Sequence, residues 1–322
     1  MTMKAAQSAI AESGLHDKVD LESSFTCLQW NIDGLSASFI EERTIHVAKA
    51  VLEADPDIFL AQEVIQDTLV ILNTLLGESY VAVGRPDSSS QYFTVAFVHS
   101  RNTVLDQRRE PFRGDGTSIM GRDMLILRLE LAGKGQCLFV NSHFESTKAY
   151  GSARIAQLSA VCELLVDCNL PAVCAGDLNM RDAEQAAAFR ATNSVGVIKD
   201  AYIEFGKPKY AYGTWIMPNK ETVRCRFDRC YHNSNSIAFV PAHDDAAIGI
   251  LGDQKLAGCG NQRPSDHLGM LTRFRFTGSG QPRTNTGSRG TETATKRSLS
   301  RTEDPRATKR NNALAPSVFH SP

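Results

Sequence analysis

Four apolar runs in this chain end in residues that a sheet core cannot use. Trp30 leads into Asn31-Ile32-Asp33-Gly34, and Leu60 into Gln62-Glu63. Val140 leads into Asn141-Ser142-His143-Phe144-Glu145-Ser146, and Cys174 into Gly176-Asp177-Leu178-Asn179. A fifth block, Pro264-Ser265-Asp266-His267, comes just before the last apolar run. Each block alone has a plain explanation. Asp33-Gly34 is a turn pair, Glu63 a solvated strand end, and His143 with Glu145 one exposed strand face. Asp177 and Asn179 could cap a helix, and Asp266 could simply hydrogen-bond nearby. Five together are a poor chance event, because carboxylates, amides and imidazoles at the rim where strands end can converge on one pocket.

The chemistry such a set suits is phosphodiester hydrolysis. Carboxylates select a hard cation such as Mg²⁺, which binds through one or two of them and keeps several waters, with Mn²⁺ as a substitute. Asp33 and Glu63 are the ligand candidates. Asp177 can take a proton from an attacking water. Asn31, Asn179 and an imidazolium at His267 can hold charge on phosphoryl oxygens. An acid is needed to fix the imidazole, and Asp228 in Arg226-Phe227-Asp228-Arg229 is the candidate. The chain has no Walker-type loop, no GxGxxG and no Cys/His zinc spacing.

Alternating strand and helix signals must position these groups. Phe25–Trp30, Ile58–Ala61, Phe93–Val98, Met124–Leu131, Gln136–Asn141, Pro171–Ala175, Ile237–Val240 and Met270–Phe276 read as strands, with a further one marked by Phe227. A hairpin is expected across Gly133-Lys134-Gly135. Ser38 with Glu41 reads as a capping box, opening a helix with Ile40, Ile45, Ala48, Val51 and Leu52 on its apolar face and ending at Asp55-Pro56. A second helix carries Leu69, Leu72, Leu75 and Leu76 up to Gly77. A third spans Thr147–Asp167. The pattern predicts an α+β domain of two packed sheets with helices outside.

Of the 322 residues 42% are hydrophobic, enough for a sizeable core, and 35 Lys+Arg nearly balance 36 Asp+Glu. No apolar run approaches the roughly 18 residues of a membrane span, so no membrane partner is expected. The eight cysteines form no CxxC pair and sit mostly in apolar runs, as buried thiols of a reducing compartment do. Composition changes near residue 277. From there to Pro322 eight Lys/Arg face three Asp/Glu, a net of +5, which leaves −6 for residues 1–276. This basic tail has too few apolar residues to offset its ordering entropy and is expected to be disordered. Three parts follow: a polar segment 1–24, a catalytic domain 25–276 and the tail 277–322.

The blocks Trp30–Leu35, Gln62–Val64, Ser142–Thr147, Gly176–Asp182, Arg226–Arg229 and Ser265–His267 resemble, in order, those of the endonuclease/exonuclease/phosphatase superfamily. The His-x-Glu-Ser-Thr stretch, Asn179-x-Arg181-Asp182, and Phe205–Lys209 followed by Thr214-Trp215 resemble the type-2 tyrosyl-DNA phosphodiesterases, which release a protein tyrosine from a DNA 5′ phosphate. The resemblance covers roughly residues 25–276. It implies a four-layer α/β/β/α sandwich, Mg²⁺ near Asp33 and Glu63, Asp177 as acid/base, and Asn31 and His267 on the phosphate, the latter within its Asp266-His267 block. It also implies DNA contacts at Tyr92, at His143, Phe144, Glu145, Ser146, Thr147 and Lys148, at Asn179, Met180 and Arg181, and at Trp215 and Phe227. Ile216 departs from the family, where Asp often follows the Thr-Trp pair. The chain is also expected to lack the ubiquitin-binding module that some relatives carry at the N-terminus.

The expected substrate is therefore a DNA 5′ end bearing a covalently attached protein tyrosine, with single-stranded nucleic acid as a related partner, in the nucleus or cytoplasm. An abasic-site endonuclease, a deadenylase or a phosphoinositide phosphatase is the alternative within the superfamily. A non-catalytic nucleic-acid-binding protein is the second alternative. The intact set Asn31, Asp33, Glu63, Asp177 and His267 speaks against it, since buried repelling carboxylates give a binding module nothing.

Overall fold

The computed structural model describes residues 23–86, 91–114, 117–233, 236–243 and 246–277. The N-terminal residues before Ser23 and the basic tail beyond Thr277 lie outside the described residues.

Burial on both faces of the central strands generates the layers. In β1 (Ser24–Asn31), Phe25 and Cys27 enter one apolar core while Leu28 and Trp30 enter another. An alternating strand buried on both sides must lie between two layers. α1 (Ile40–Ala54) crosses over to β2 (Ile58–Val64), which pairs parallel with β1. α2 (Gln66–Leu76), β3 (Tyr80–Val83) and β4 (Phe93–His99) follow. Then come β5 (Thr103–Pro111), β6 (Asp123–Leu131) and β7 (Gly135–Ser142). α3 (Gly151–Asp167) crosses to β8 (Ala172–Asp177), parallel to β7. α4 (Asp182–Ala191), β9 (Lys199–Asp200), α5 (Ala201–Glu204), β10 (Trp215–Ile216) and β11 (Arg224–Cys225) lead to β12 (Asp228–His232). The last strands are β13 (Ile237–Val240), β14 (Gly249–Leu251) and β15 (Gly269–Phe276).

The first sheet runs β13-β15-β1-β2-β4-β3, with β14 beside β15; the second runs β5-β6-β7-β8-β12-β9. Phe25, Leu60, Leu127, Phe139 and Val173 fill the space between the sheets. The outer face of the first sheet packs against α1 and α2 through Val47, Val51, Leu69 and Leu72. The outer face of the second packs against α3 and α4 through Leu158, Val161, Leu165 and Ala188. This is the expected four-layer α/β/β/α sandwich.

Local expectations fared unevenly. The hairpin forms as read, with Leu131 opposite Gly135 and Lys134 N donating to Leu131 O at 2.9 Å. Ser38 does not cap α1. The N-cap is Phe39, in the left-handed region at φ 50°, and Ser38 Oγ accepts from Gln262 instead. The cause is Arg43, whose guanidinium gathers the carbonyls of Asp33, Ser36 and Ser38 at 2.7–3.0 Å and bends the chain into the helix. The buried face of α1 is accordingly Arg43, Thr44, Val47, Ala48 and Val51, with Leu52 exposed. Leu75 of α2 is also exposed. The third helix starts at Gly151, after one turn of 3-10 helix from Lys148 to Tyr150.

Candidate active site

The two parallel pairs, β1–β2 and β7–β8, point their carboxyl ends the same way, and the site forms where those ends meet. This is the usual location of a ligand site in sheets with parallel crossovers. Two glycines let the ends close. A Cβ on Gly34 would stand 2.2 Å from Glu63 O, and one on Gly176 2.0 Å from Ser142 O, so backbones touch where only glycine fits. Asp33, Glu63 and Asn179 all adopt positive φ, at 49°, 53° and 50°, which turns their side chains out of the strand direction towards the rim.

Asp177 is the centre. It is 2% exposed. Asn31 Nδ2, from the opposite sheet, donates to its Oδ2 at 3.0 Å, and Asn179 N donates to its Oδ1 at 3.0 Å. Nε2 of His267 lies 3.5 Å from Oδ2, and Nε2 of His143 lies 3.3 Å away without hydrogen-bond alignment. Burial alone would raise the Asp177 pKa, but the imidazoles of His267 and His143 and the Asn31 amide hold it well below the usual carboxylate range. His267 shows the opposite balance. Burial disfavours its charge, yet Asp228, whose Oδ2 is 2.8 Å from Nδ1, and Asp177 raise its pKa well above the ordinary histidine value. Asp228, the candidate for fixing the imidazole, makes this contact with His267. Ser265 Oγ completes the frame, donating to Asn31 O at 2.7 Å and accepting from His267 N.

The carboxylates of Asp33, Glu63 and Asp266 face the same cavity of about 480 Å³. Asp33 is pushed up to about 7 by burial and by the negative charges of Asp266 and Glu63, against the pull of Arg43, 3.2 Å away. Among the described residues, donor atoms converge within 4.8 Å in two groups, Glu63–His143–Asp177 and Asp177–Asp228–His267. Asp33 shares the cavity with Glu63 but belongs to neither group.

Trp215 and Phe227 form the opposite wall, with ring centroids 5.3 Å apart and Arg181 stacked 5.6 Å over Phe227. Trp215 Nε1 donates to Asp266 Oδ2 at 2.9 Å. Ser146, Thr147 and Asn179 also line this cavity. Ile216 is buried and its amide donates to Asp266 O. A second cavity, about 520 Å³, lies beyond His143 and holds Tyr92, Met120 and Arg122. The Arg122 guanidinium sits 5.2 Å over the Tyr92 ring.

Four residues expected to contact DNA do not line either cavity. Phe144 packs edge-on against Phe112 in the helix-side core, and Met180 is buried in the same cluster, because apolar side chains there gain more from the core than from a polar rim. Glu145 is fully buried and turned towards the 118–120 backbone. Lys148 is exposed but does not line the cavity. Conversely, sequence reading passed over Arg43, Arg122, Thr214 and Ser265 as site builders. Thr214 Oγ1 accepts from Asp228 N at 3.3 Å. Nothing in the sequence marks Arg43, whose partners include backbone carbonyls of the preceding segment.

The model of the endonuclease/exonuclease/phosphatase family matches residues 28–267. Tyrosyl-DNA phosphodiesterase 2 of Gallus gallus is 32% identical over 265 residues, covering 78% of this chain and 67% of the relative. The Xenopus laevis enzyme of that name is 31% identical over 264 residues, covering 79% and 67%. Among solved structures, D. rerio TDP2 complexed with single-strand DNA product superimposes with a TM-score of 0.67 at 25% identity, covering 79% of this chain and 99% of that one. Truncated Caenorhabditis elegans TDP2 gives 0.66 at 25% identity, covering 78% and 97%. With its site at the carboxyl ends of two facing parallel pairs and a family match over most of its length, the chain belongs to the endonuclease/exonuclease/phosphatase family.

Proposed function

We propose that this protein is a Mg²⁺-dependent phosphodiesterase that removes tyrosyl-protein adducts from DNA 5′ ends and leaves a 5′ phosphate. The observation that carries the reading is the pair of cavities meeting at His143 beside Asp177. One is walled by Trp215 and Phe227, which offer stacking faces for an unpaired base. The other offers Tyr92 and the Arg122 guanidinium, which suit an aromatic ring through cation–π contact. A phosphate at the junction would have a nucleotide on one side and a phenol on the other.

Asp33 and Glu63 would hold the ion, with oxygen donors that suit a hard cation. The carboxylate crowding that raises Asp33 is what such a cation relieves. When bound, the ion supplies positive charge to the phosphoryl oxygens. Asp177 accepts the proton of the attacking water. In the free site its basicity is weak, since His267 and His143 stabilise its charge. As charge builds on the phosphoryl oxygens, the donors of His267 and Asn31 turn towards it and release their hold on Asp177. The departing phenol has a pKa of about 10, so it needs little acid assistance.

The test is a panel of 5′-tyrosyl DNA, abasic duplex, poly(A) RNA and phosphoinositides, each with Mg²⁺, with Mn²⁺ and with chelator. Metal-dependent turnover of the tyrosyl substrate far above the others supports the reading; comparable kcat/KM on abasic duplex transfers it to the endonuclease alternative. For the basic tail, we propose a role in nuclear import through Lys296-Arg297 and Lys309-Arg310, or in non-specific DNA affinity. Deleting it should leave kcat unchanged and flatten the salt dependence of binding.

A further inference from the structure

We infer that Glu145 is a positioning residue, which fixes the loop presenting Arg122 to His143. Its Oε1 accepts three hydrogen bonds from one short segment: Ser118 Oγ at 2.8 Å, Ile119 N at 2.8 Å and Met120 N at 2.9 Å. Packing does little to hold this segment, since Ile119 is 66% and Met120 41% exposed. Ser118 Oγ in turn accepts from Arg122 N at 2.6 Å. Gln157 of α3 ties the two segments together, accepting from Glu145 N and donating to Thr117 O at 2.7 Å.

Arg122 Nη1 lies 3.1 Å from His143 Nδ1. A guanidinium can only donate, so Nδ1 accepts and the ring proton sits on Nε2. That is the atom 3.3 Å from Asp177 Oδ2 and 3.8 Å from Glu63 Oε1. A buried carboxylate with no solvent access thus sets, through a loop and an arginine, which nitrogen of His143 faces the reacting centre. Among the described residues, Oε2 of Glu145 has no hydrogen-bond partner. The position therefore needs an acceptor at Oε1 rather than a second charged oxygen, and glutamine can supply it.

The inference rests on the proposed role of Arg122 only for its kinetic readout. On a 5′-tyrosyl oligonucleotide, Glu145→Ala should raise KM about tenfold with a smaller fall in kcat. Glu145→Gln should recover most of that loss. In a double-mutant cycle, Glu145→Ala combined with Arg122→Ala should be no worse than Arg122→Ala alone, because the first acts through the second. Urea unfolding on each variant separates misfolding from misplacement. Should Glu145→Ala not fold, Ser118→Ala alone and with Arg122→Ala makes the same comparison from the exposed side of the loop. Independently of turnover, ¹⁵N NMR of the imidazole should show the Nε2–H form of His143 in the wild type and a mixture in Ser118→Ala. Losses that multiply in the Arg122→Ala background, or an unchanged His143 tautomer in Ser118→Ala, would overturn the inference. Absence of tyrosyl turnover in the wild type would instead refute the proposed function and leave the tautomer result to decide.

Discussion

Asn31 and Asp177 come from different sheets, 146 positions apart, yet the Asn31 amide donates to the Asp177 carboxylate at 3.0 Å. This bond ties the Asp177 carboxylate to the far side of the sandwich, so the site exists only when both sheets are packed. Asp177→Asn should lower kcat on the order of 10²–10⁴-fold and leave DNA affinity equal or better, since a negative charge near phosphate is gone. Asn31→Ala should also lower kcat, by about 10²-fold or more, through lost charge stabilisation. Single-turnover rates and binding measured on the same preparations check both; an Asp177→Asn protein that loses affinity and keeps kcat contradicts the role.

The His267–Asp228 contact makes a pH prediction. The folded-state pKa of His267 is raised, so its pairing contributes stability in full below the unfolded value and loses it as pH rises through the folded value. Asp177 is depressed, so its contribution is present above the ordinary carboxylate value and is lost in acid. Both contributions are present in full between roughly pH 4 and 6.5, above the ordinary carboxylate value and below the ordinary histidine value. Asp228→Asn removes the main support of the imidazolium and should bring the alkaline limb of the kcat profile to lower pH. An unshifted limb in a pH–rate series would separate Asp228 from His267.

Asp33 titrates in the opposite sense. Its pKa is raised from 3.8 to about 7, so ionising it costs stability as pH rises through that interval. At about 1.4 kcal/mol per pKa unit, the cost is on the order of a few kcal/mol. In chelator, urea stability should fall between about pH 4 and pH 7, and Asp33→Asn should flatten that fall. Mg²⁺ should restore stability in the wild type more than in Asp33→Asn. A flat wild-type profile in chelator would show that Arg43 already neutralises the group.

Much of the site was legible because its residues end apolar runs. Asn31, Glu63 and Asp177 each stand where a buried strand stops and His267 just before one begins, and burial of strands is a strong periodic signal. β5 was not legible: six of its nine residues are exposed and four are charged, so nothing in its pattern marks a sheet edge. The two-residue strands β9, β10 and β11 are too short to have a period. The left-handed entry to α1 was missed because a tertiary arginine, not a local cap, decides it. Alternation would put Glu145 beside His143 on one exposed strand face, whereas the chain leaves β7 at Ser142 and the two side chains diverge, so the DNA contact that the resemblance implied at Glu145 falls on a buried residue.

Phe39 carries strain without a cap. A non-glycine residue in the left-handed region costs roughly 1–2 kcal/mol, and the Phe39 ring is 41% exposed, so little burial offsets it. Phe39→Asn should raise stability by about 1 kcal/mol, because asparagine tolerates this conformation. Equilibrium urea unfolding measures it. A destabilised variant would mean that packing of the ring beside Gly260 outweighs the backbone cost.

Trp215 joins the aromatic wall of the cavity to the carboxylate cluster. Its indole N–H donates to Asp266, and its ring lies beside Phe227 on the cavity wall. Stacking on a base is felt equally in the ground and transition states, so Trp215→Ala should raise KM more than it lowers kcat. The expected loss is about 1–3 kcal/mol, the usual worth of a base–aromatic stack. Trp215→Phe should keep most of the stacking but release Asp266, whose charge then falls more fully on Asp33. That variant should therefore show near-normal KM with Asp33 titrating still higher, visible as a stronger pH dependence of stability in chelator. The two substitutions separate the roles of the ring and of its N–H. Equal KM increases in both would assign the effect to the hydrogen bond, and a KM unchanged in Trp215→Ala would remove the indole from the binding surface altogether.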